Sequence, residues 1–182
     1  MTTKLADTLQ FRLISAEDIE AAFRLESQGY PKEEAASLAQ LQFRYKAAGD
    51  LFLGAYLTHA SLQYLPPSQR NEFRDAQLVG YTVATRTSSP TLTHSSMSEH
   101  EPQGRTVCIH SVCVDPRLRR MGIAKRCLLE FIRNCKDADR VSLISHRELL
   151  GLYEAVGFKC IGESSVVHGP EKWYECVLEV RE

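Results

Sequence analysis

Several things are missing from this chain of 182 residues. No apolar run comes near the roughly 18 residues that a membrane span needs. The opening Met1-Thr2-Thr3-Lys4-Leu5-Ala6-Asp7 lacks the apolar core of a signal peptide. Neither sign of charge dominates: 22 Lys and Arg against 23 Asp and Glu leave a formal net charge of −1. Nothing therefore directs the chain to nucleic acid or to an anionic membrane surface. Cys108, Cys113, Cys127, Cys135, Cys160 and Cys176 contain no C-x-x-C pair and no group at zinc spacing. Buried free thiols in a reducing compartment are expected, and no metal. No internal repeat and no dividing linker interrupts the chain. One domain over 1–182, long enough for a real core and cytoplasmic, is the expectation.

The hydrophobic pattern then gives an order of elements. Leu9 to Ile14 alternates as a strand. Ser15 with Asp18 three residues on is a capping pattern, and Ile19, Ala22, Phe23 and Glu26 follow at helical spacing. Pro31 suits the first turn of a second helix running to about Ala48 and ending at Gly49. Leu51 to Leu57 and Leu78 to Arg86 read as antiparallel strands, joined by a long excursion, Thr58 to Gln77. Thr87 to Arg105, rich in Ser, Thr and Pro, reads as a mobile loop. Thr106 to Val114 is apolar on both faces apart from His110 and Ser111, the mark of a central strand. A helix from Gly122 to about Cys135 follows, burying Leu128, Leu129, Phe131 and Ile132. Val141 to Ser145 is a strand, and Glu148 to Val156 a short helix stopped by Gly157. Phe158 to Val167 and Trp173 to Val180 are strands around a Gly169-Pro170 turn. The order β-α-α-β-β-β-α-β-α-β-β is that of a mixed α/β domain.

The junction from Val112 to Lys125 is the most telling stretch. An apolar strand enters a turn holding Asp115, Pro116, Arg117, Arg119, Arg120 and Gly122, and a long helix starts there. The first N–H groups of a helix have no partner inside it and can converge on an anion. Gly122 and Ala124 leave room for a bulky polyphosphate near the backbone. A phosphorylated cofactor is expected at this turn.

Arg119-Arg120-Met121-Gly122-Ile123-Ala124 fits the Q/R-x-x-G-x-G/A motif of the GCN5-related N-acetyltransferases. Val112-Cys113-Val114-Asp115-Pro116 resembles that family's cofactor-binding strand, and Leu152-Tyr153-Glu154-Ala155-Val156-Gly157-Phe158 its later Y-x-x-x-G-F segment. The resemblance implies the GNAT fold, a mixed and mostly antiparallel sheet flanked by helices, with acetyl-CoA in a cleft between diverging central strands. A narrower resemblance is to arylalkylamine (serotonin) N-acetyltransferases of non-vertebrate type. Their loop L-T-x-x-S-x-x-x-H-x-P-x-G matches Leu92 to Gly104. Their H-x-H-x-L-x-V strand matches Cys108 to Val114, with Cys108 in place of the first histidine. Ala16-Glu17-Asp18-Ile19 is similar to their helix entry.

This resemblance implies acetyl transfer from acetyl-CoA to a small-molecule primary amine by direct attack, with no metal. An amine is protonated at neutral pH and attacks a thioester only when neutral, so a base must take its proton and an acid should meet the departing thiolate. His110, with an imidazole reference pKa of about 6.5, is the candidate base, directly or through water. Tyr153 is the candidate acid, its phenol expected to aim at the CoA sulfur. Val112, Cys113 and Val114 are expected to bind the pantetheine arm as an added strand. Arg119, Arg120, Met121, Gly122, Ile123, Ala124 and Lys125 are expected to hold the pyrophosphate, with Arg117 a solvated residue. Cys108 is expected to line the tunnel and to be a poor base. His94, His100, His146 and His168 read as loop or surface residues. Phe23, Tyr30, Tyr45 and Trp173 are available either for core packing or for an aryl pocket. A polyamine acceptor, met by Glu33, Glu34, Glu163 and Glu175, is the second reading, and a CoA-binding regulatory domain without catalysis the third. The excursion at 58–77 and the segment between the first two helices are both expected to border the amine site. A monomer without the phosphorylated tail of vertebrate relatives is expected.

Overall fold

The structure, a computed structural model, describes residues 4–166 and 170–180. His168 and Gly169 of the expected final turn lie outside the described residues. Strands β1 (Gln10–Leu13), β2 (Phe52–Tyr56), β3 (Leu78–Thr87), β4 (Thr106–Val114), β5 (Arg140–Ser145), β6 (Lys159–Glu163) and β7 (Tyr174–Glu179) form one sheet. Its order is β1-β2-β3-β4-β5-β7-β6. All neighbours are antiparallel except β4 and β5, which run parallel. Helices are α1 (Ile19–Gly29), α2 (Leu38–Ala48), α3 (Ile123–Asn134) and α4 (Leu150–Glu154). The mixed α/β architecture agrees with the sequence reading. None of these helices is long and apolar enough to cross a membrane.

Alternation along the strands sends each face to its own helix layer. Tyr81 and Val83 on β3 and Cys113 on β4 meet Ala22 and Leu25 of α1 and Leu41 of α2. Ala84, Val107 and Ile109 point the other way, against Leu128 and Phe131 of α3. Leu128 and Phe131 are almost wholly buried, and each such side chain contributes about 1.5–3 kcal/mol relative to exposure.

Three expectations about elements are corrected. The second helix starts at Leu38, not at Pro31. The Pro31 carbonyl closes a turn by accepting the N–H groups of Glu34 and Ala35. The N–H of Ala36 is taken by the Glu26 carboxylate (2.8 Å). Ser37 and Gln40 then form a capping box. The strand expected to reach Val167 ends at Glu163. It bends where Gly162 adopts φ +132° beside a register shift in its pairing with β7. The segment expected to be loose, 87–105, is folded onto the sheet: Glu101 binds the Thr87 hydroxyl and the Ser88 N–H, and His100 Nδ1 accepts the Arg86 N–H (3.1 Å).

Two irregularities shape the centre. The parallel pairing of β4 with β5 runs only from Thr106–Arg140 to Cys108–Ser142. Beyond it the strands separate, leaving one edge of β4 from 109 to 114 without a strand partner. In the pairing of β3 with β4, Val83 faces Ser111 while Ala84 faces Ile109. His110 is therefore the extra residue of a β-bulge.

Candidate functional site

The turn entering α3 has the shape of an anion cradle. Arg120 has φ +66° and Gly122 φ +83°. Both lie in the left-handed region, where glycine is at ease and arginine is uncommon. The first bonded amide of α3 is Arg126, which donates to the Gly122 carbonyl (3.1 Å). The amides of Ile123, Ala124 and Lys125 thus have no acceptor within the helix. A cavity of about 680 Å³ opens here. It is lined by Val112, Cys113, Val114, Arg119, Arg120, Gly122, Ile123, Ala124 and Lys125, with Leu149, Leu152 and Tyr153 opposite. Of the residues expected at a cofactor, Met121 is the exception. Its side chain packs against the cluster around Leu5, Leu118 and Ile123 and does not line the cavity. Arg117 is likewise absent from the lining. It is not simply solvated but pinned, bidentate on Asp115 (2.9 and 2.7 Å) and stacked 4.1 Å from the Phe73 ring.

A second cavity, of about 210 Å³, lies between α1, α2 and the separated strands. Its walls include Glu26, Tyr30, Glu33, Glu34, Arg44, Met97, His110, Tyr153 and Trp173. Tyr30, Val112 and Tyr153 line both cavities, so the two chambers adjoin at the gap between β4 and β5. Tyr30 occupies the β4 side of that gap: its hydroxyl accepts the Val112 N–H (3.3 Å) and donates to the Val112 carbonyl (3.4 Å).

His110 sits on the cavity wall with Nε2 2.7 Å from Thr85 Oγ1. Thr85 is the cross-strand partner of Cys108, so Cys108 and His110 share a face. The bulge adds Ser111 to it, turned toward α1. Cys108 itself does not reach the cavity. It is fully buried among Leu92, Ile144, Val166 and Trp173, and burial pushes its thiol up to about 12. Tyr153 is held edge-on to Phe158, ring centres 6.0 Å apart. Its pKa is raised above the ordinary phenol value, by burial first and then by Cys176 and Cys113. Gly157, φ +103°, makes the turn behind it, where a Cβ would come within 3.1 Å of Leu178 Cδ1.

Sequence reasoning missed one acidic centre, Glu26, and the histidine partner of another, Glu34. Glu26 is 1 % exposed. Its carboxylate accepts from the Ala36 N–H (2.8 Å), the Ser111 hydroxyl (2.9 Å), the Cys113 thiol (3.0 Å) and the Tyr81 hydroxyl. The signal was a carboxylate on the apolar stripe Ile19, Ala22, Phe23. Glu34 meets His146, with Nε2 and Oε2 2.9 Å apart, and the His146 ring stacks on Trp173 at 4.0 Å. His146 is therefore no surface histidine. Of the aromatics proposed for an aryl pocket, Tyr30 and Trp173 line the cavity, while Phe23 and Tyr45 pack against the core of α1 and α2. Glu163 pairs with Lys172 and Glu175 accepts the Leu92 N–H, both away from the chamber. None of residues 58–77 borders the chamber. That excursion seals the far side through Leu65 and Phe73.

The model of the acetyltransferase (GNAT) domain family matches residues 68–171, more than half of the chain. Serotonin N-acetyltransferase of Mesocricetus auratus is 25 % identical over 112 residues, covering 60 % of this chain and 54 % of that protein. The chain thus matches only about half the length of this curated relative. Among solved structures, the GphF GNAT-like decarboxylase in complex with isobutyryl-CoA superposes with a TM-score of 0.74 at 17 % identity, covering 94 % of this chain and 100 % of that one. The loading GNATL domain of CurA from Lyngbya majuscula gives 0.76 at 12 % identity, covering 94 % and 98 %. A phosphinothricin acetyltransferase from Sinorhizobium meliloti, in complex with AcCoA, gives 0.62 at 15 %, covering 94 % and 88 %. At such identities these likenesses bear on the fold alone. With the family model matched across the cradle turn and the Tyr153 helix, the chain belongs to the GNAT acetyltransferase family.

Proposed function

We propose that this protein transfers an acetyl group from acetyl-CoA to the primary amine of an arylalkylamine. The observation that carries the reading is the meeting of two chambers at Tyr30, Val112 and Tyr153. One has an anion cradle at its end, and the other is lined with aromatic, acidic and imidazole groups. The residues present fit acetyl-CoA. The free amides of 123–125 and the exposed cations Arg119, Arg120 and Lys125 suit its phosphates. The edge of β4 on either side of Val112, whose own N–H and carbonyl are held by Tyr30, suits its amide-bearing arm. The thioester supplies the activated acetyl group.

The remaining work falls to the protein. His110 accepts the proton of the bound ammonium, its ring steadied by Thr85. The freed amine forms the new N–C bond as the C–S bond breaks, and Tyr153 donates its phenolic proton to the leaving sulfur. The second proton on nitrogen, acidic once the N–C bond has formed, returns to the Tyr153 oxygen, and His110 releases the first to solvent; a raised phenol pKa keeps Tyr153 protonated and ready to donate. Holding both reactants across a narrow gap supplies much of the remaining acceleration.

The aryl preference is supported by Trp173 and Tyr30 on the acceptor wall and by the partial likeness to a serotonin N-acetyltransferase. Glu33 and Glu34 on the same wall favour a second reading, a polyamine acceptor. Thiol release from acetyl-CoA with phenethylamine, tryptamine, spermidine and a peptide amine decides between them. Turnover confined to aryl amines supports the first reading and turnover confined to spermidine the second. CoA binding without turnover on any amine overturns both.

A further inference from the structure

Arg44 of α2 lines the acceptor chamber and is only 8 % exposed. Its Nη1 is sealed from solvent and has no hydrogen-bond partner among the described residues. Burying a guanidinium without partners is costly, because lost hydration is not replaced. Glu26 is close enough to favour the charge but does not answer the donors. Each of its oxygens is already taken, one by Ala36 and Ser111, the other by Tyr81 and Cys113. Arg44 thus holds a guanidinium with an unanswered nitrogen, at a cost in stability, in the wall of the space where an acceptor would lie.

We propose that Arg44 is a specificity-determining residue that donates a hydrogen bond to an uncharged oxygen carried by the acceptor away from its amine, foremost a ring hydroxyl. An uncharged oxygen follows from the charges on the wall. Glu26 already offsets the guanidinium, and Glu33 and Glu34 stand on the same wall, so a carboxylate on the acceptor would add repulsion. A ring hydroxyl suits the aromatic lining of Tyr30 and Trp173; an amide carbonyl offers the same chemistry. This inference rests on the acceptor-chamber reading above, and its test separates the two.

Trp173 is the only tryptophan of the chain and lines the chamber, so its fluorescence reports occupancy without turnover. Tyramine and phenethylamine, which differ by one ring hydroxyl, are titrated with CoA present. Glycinamide and ethylamine, compared by turnover, form the carbonyl arm. Native protein is expected to bind tyramine about tenfold to a hundredfold more tightly than phenethylamine, the range of one hydrogen bond to a charged group. Arg44→Met should bring that ratio close to one while raising Tm, because a donor kept for a ligand is removed from the core. Arg44→Lys, which keeps the charge but not the planar fork, should lose most of the discrimination. Discrimination by glycinamide alone would assign the oxygen to a carbonyl. A native ratio near one for both pairs overturns the proposal, as does a ratio retained in Arg44→Met with a lowered Tm, or a preference for β-alanine over all uncharged amines. Tyramine discrimination without acetyl transfer would overturn the catalytic reading and leave Arg44 assigned.

Discussion

His110 and Thr85 are joined side chain to side chain, with Nε2 and Oγ1 2.7 Å apart, and the Thr85 hydroxyl also reaches the Ser96 carbonyl (3.4 Å). The imidazole is thereby tied both to the neighbouring strand and to the loop folded over it. His110→Ala should lower kcat/KM by about 10²–10⁴-fold near neutral pH. The loss should shrink at high pH, where the amine deprotonates unaided. Thr85→Val keeps the shape and removes the anchor, so a smaller loss with a displaced acidic limb is expected. A pH–rate profile of each variant checks this; a native-like profile in His110→Ala removes the histidine from the base role.

Tyr153 lines both chambers, and burial raises its pKa above the usual phenol value. Its protonated form therefore persists through neutral and mildly alkaline pH. Tyr153→Phe should slow turnover by at least about tenfold while leaving acetyl-CoA affinity within about a factor of two. Single-turnover kinetics together with CoA titration separate the two quantities, and full activity would end its assignment as the acid.

A side chain at Gly122 would meet Ala6 Cβ at 3.8 Å, an ordinary contact. Within the protein, bulk is thus not what a substitution changes; the φ of +83° is. Gly122→Val should weaken CoA binding and destabilise the fold by about 1–2 kcal/mol through backbone strain. Gly122→Asn should suffer less, since asparagine tolerates this conformation. Equal losses in the two variants, by calorimetric CoA titration and thermal melting, would contradict the strain account.

His100 accepts the Arg86 N–H through Nδ1, a bond that requires the unprotonated nitrogen. Burial, with Arg86 next to it, lowers its pKa below the usual 6.5. A depressed pKa means that the folded state binds its proton less readily than the unfolded chain. The stabilisation is fully present above about 6.5 and is lost as pH falls through the folded value. Native protein should lose Tm on acidification from pH 7.5 to 5.0 by more than His100→Gln does. Identical acid dependence of the two melting curves would show that this contact carries no pH sensitivity.

The chain's own pattern made much of this readable. The cradle turn was legible because glycine, arginines and a helix start carry their chemistry in neighbouring residues. His110 stood out because an imidazole interrupts an apolar strand. The second helix was misread because a proline suits a helix start, whereas the real cap, Ser37 with Gln40, follows the capture of the Ala36 N–H by a carboxylate ten residues upstream. His146 lies in a loop as read, but its contacts were hidden because its partners Glu34 and Trp173 come from two distant segments. Arg44 gave no signal, since a cation in an amphipathic helix ordinarily faces water. What could not be read is what depends on tertiary contact.

The parting of β4 from β5 also has a meaning for what is kept out. An unpaired strand edge normally invites any passing strand and so promotes aggregation. Here the edge lies inside the molecule, between α1 and the Tyr153 helix, and Tyr30 covers its midpoint. A folded neighbour is too broad to enter such a slot, while a thin, flexible chain carrying its own amides can lie along it. The fold keeps a reactive length of backbone available by sorting visitors on their width.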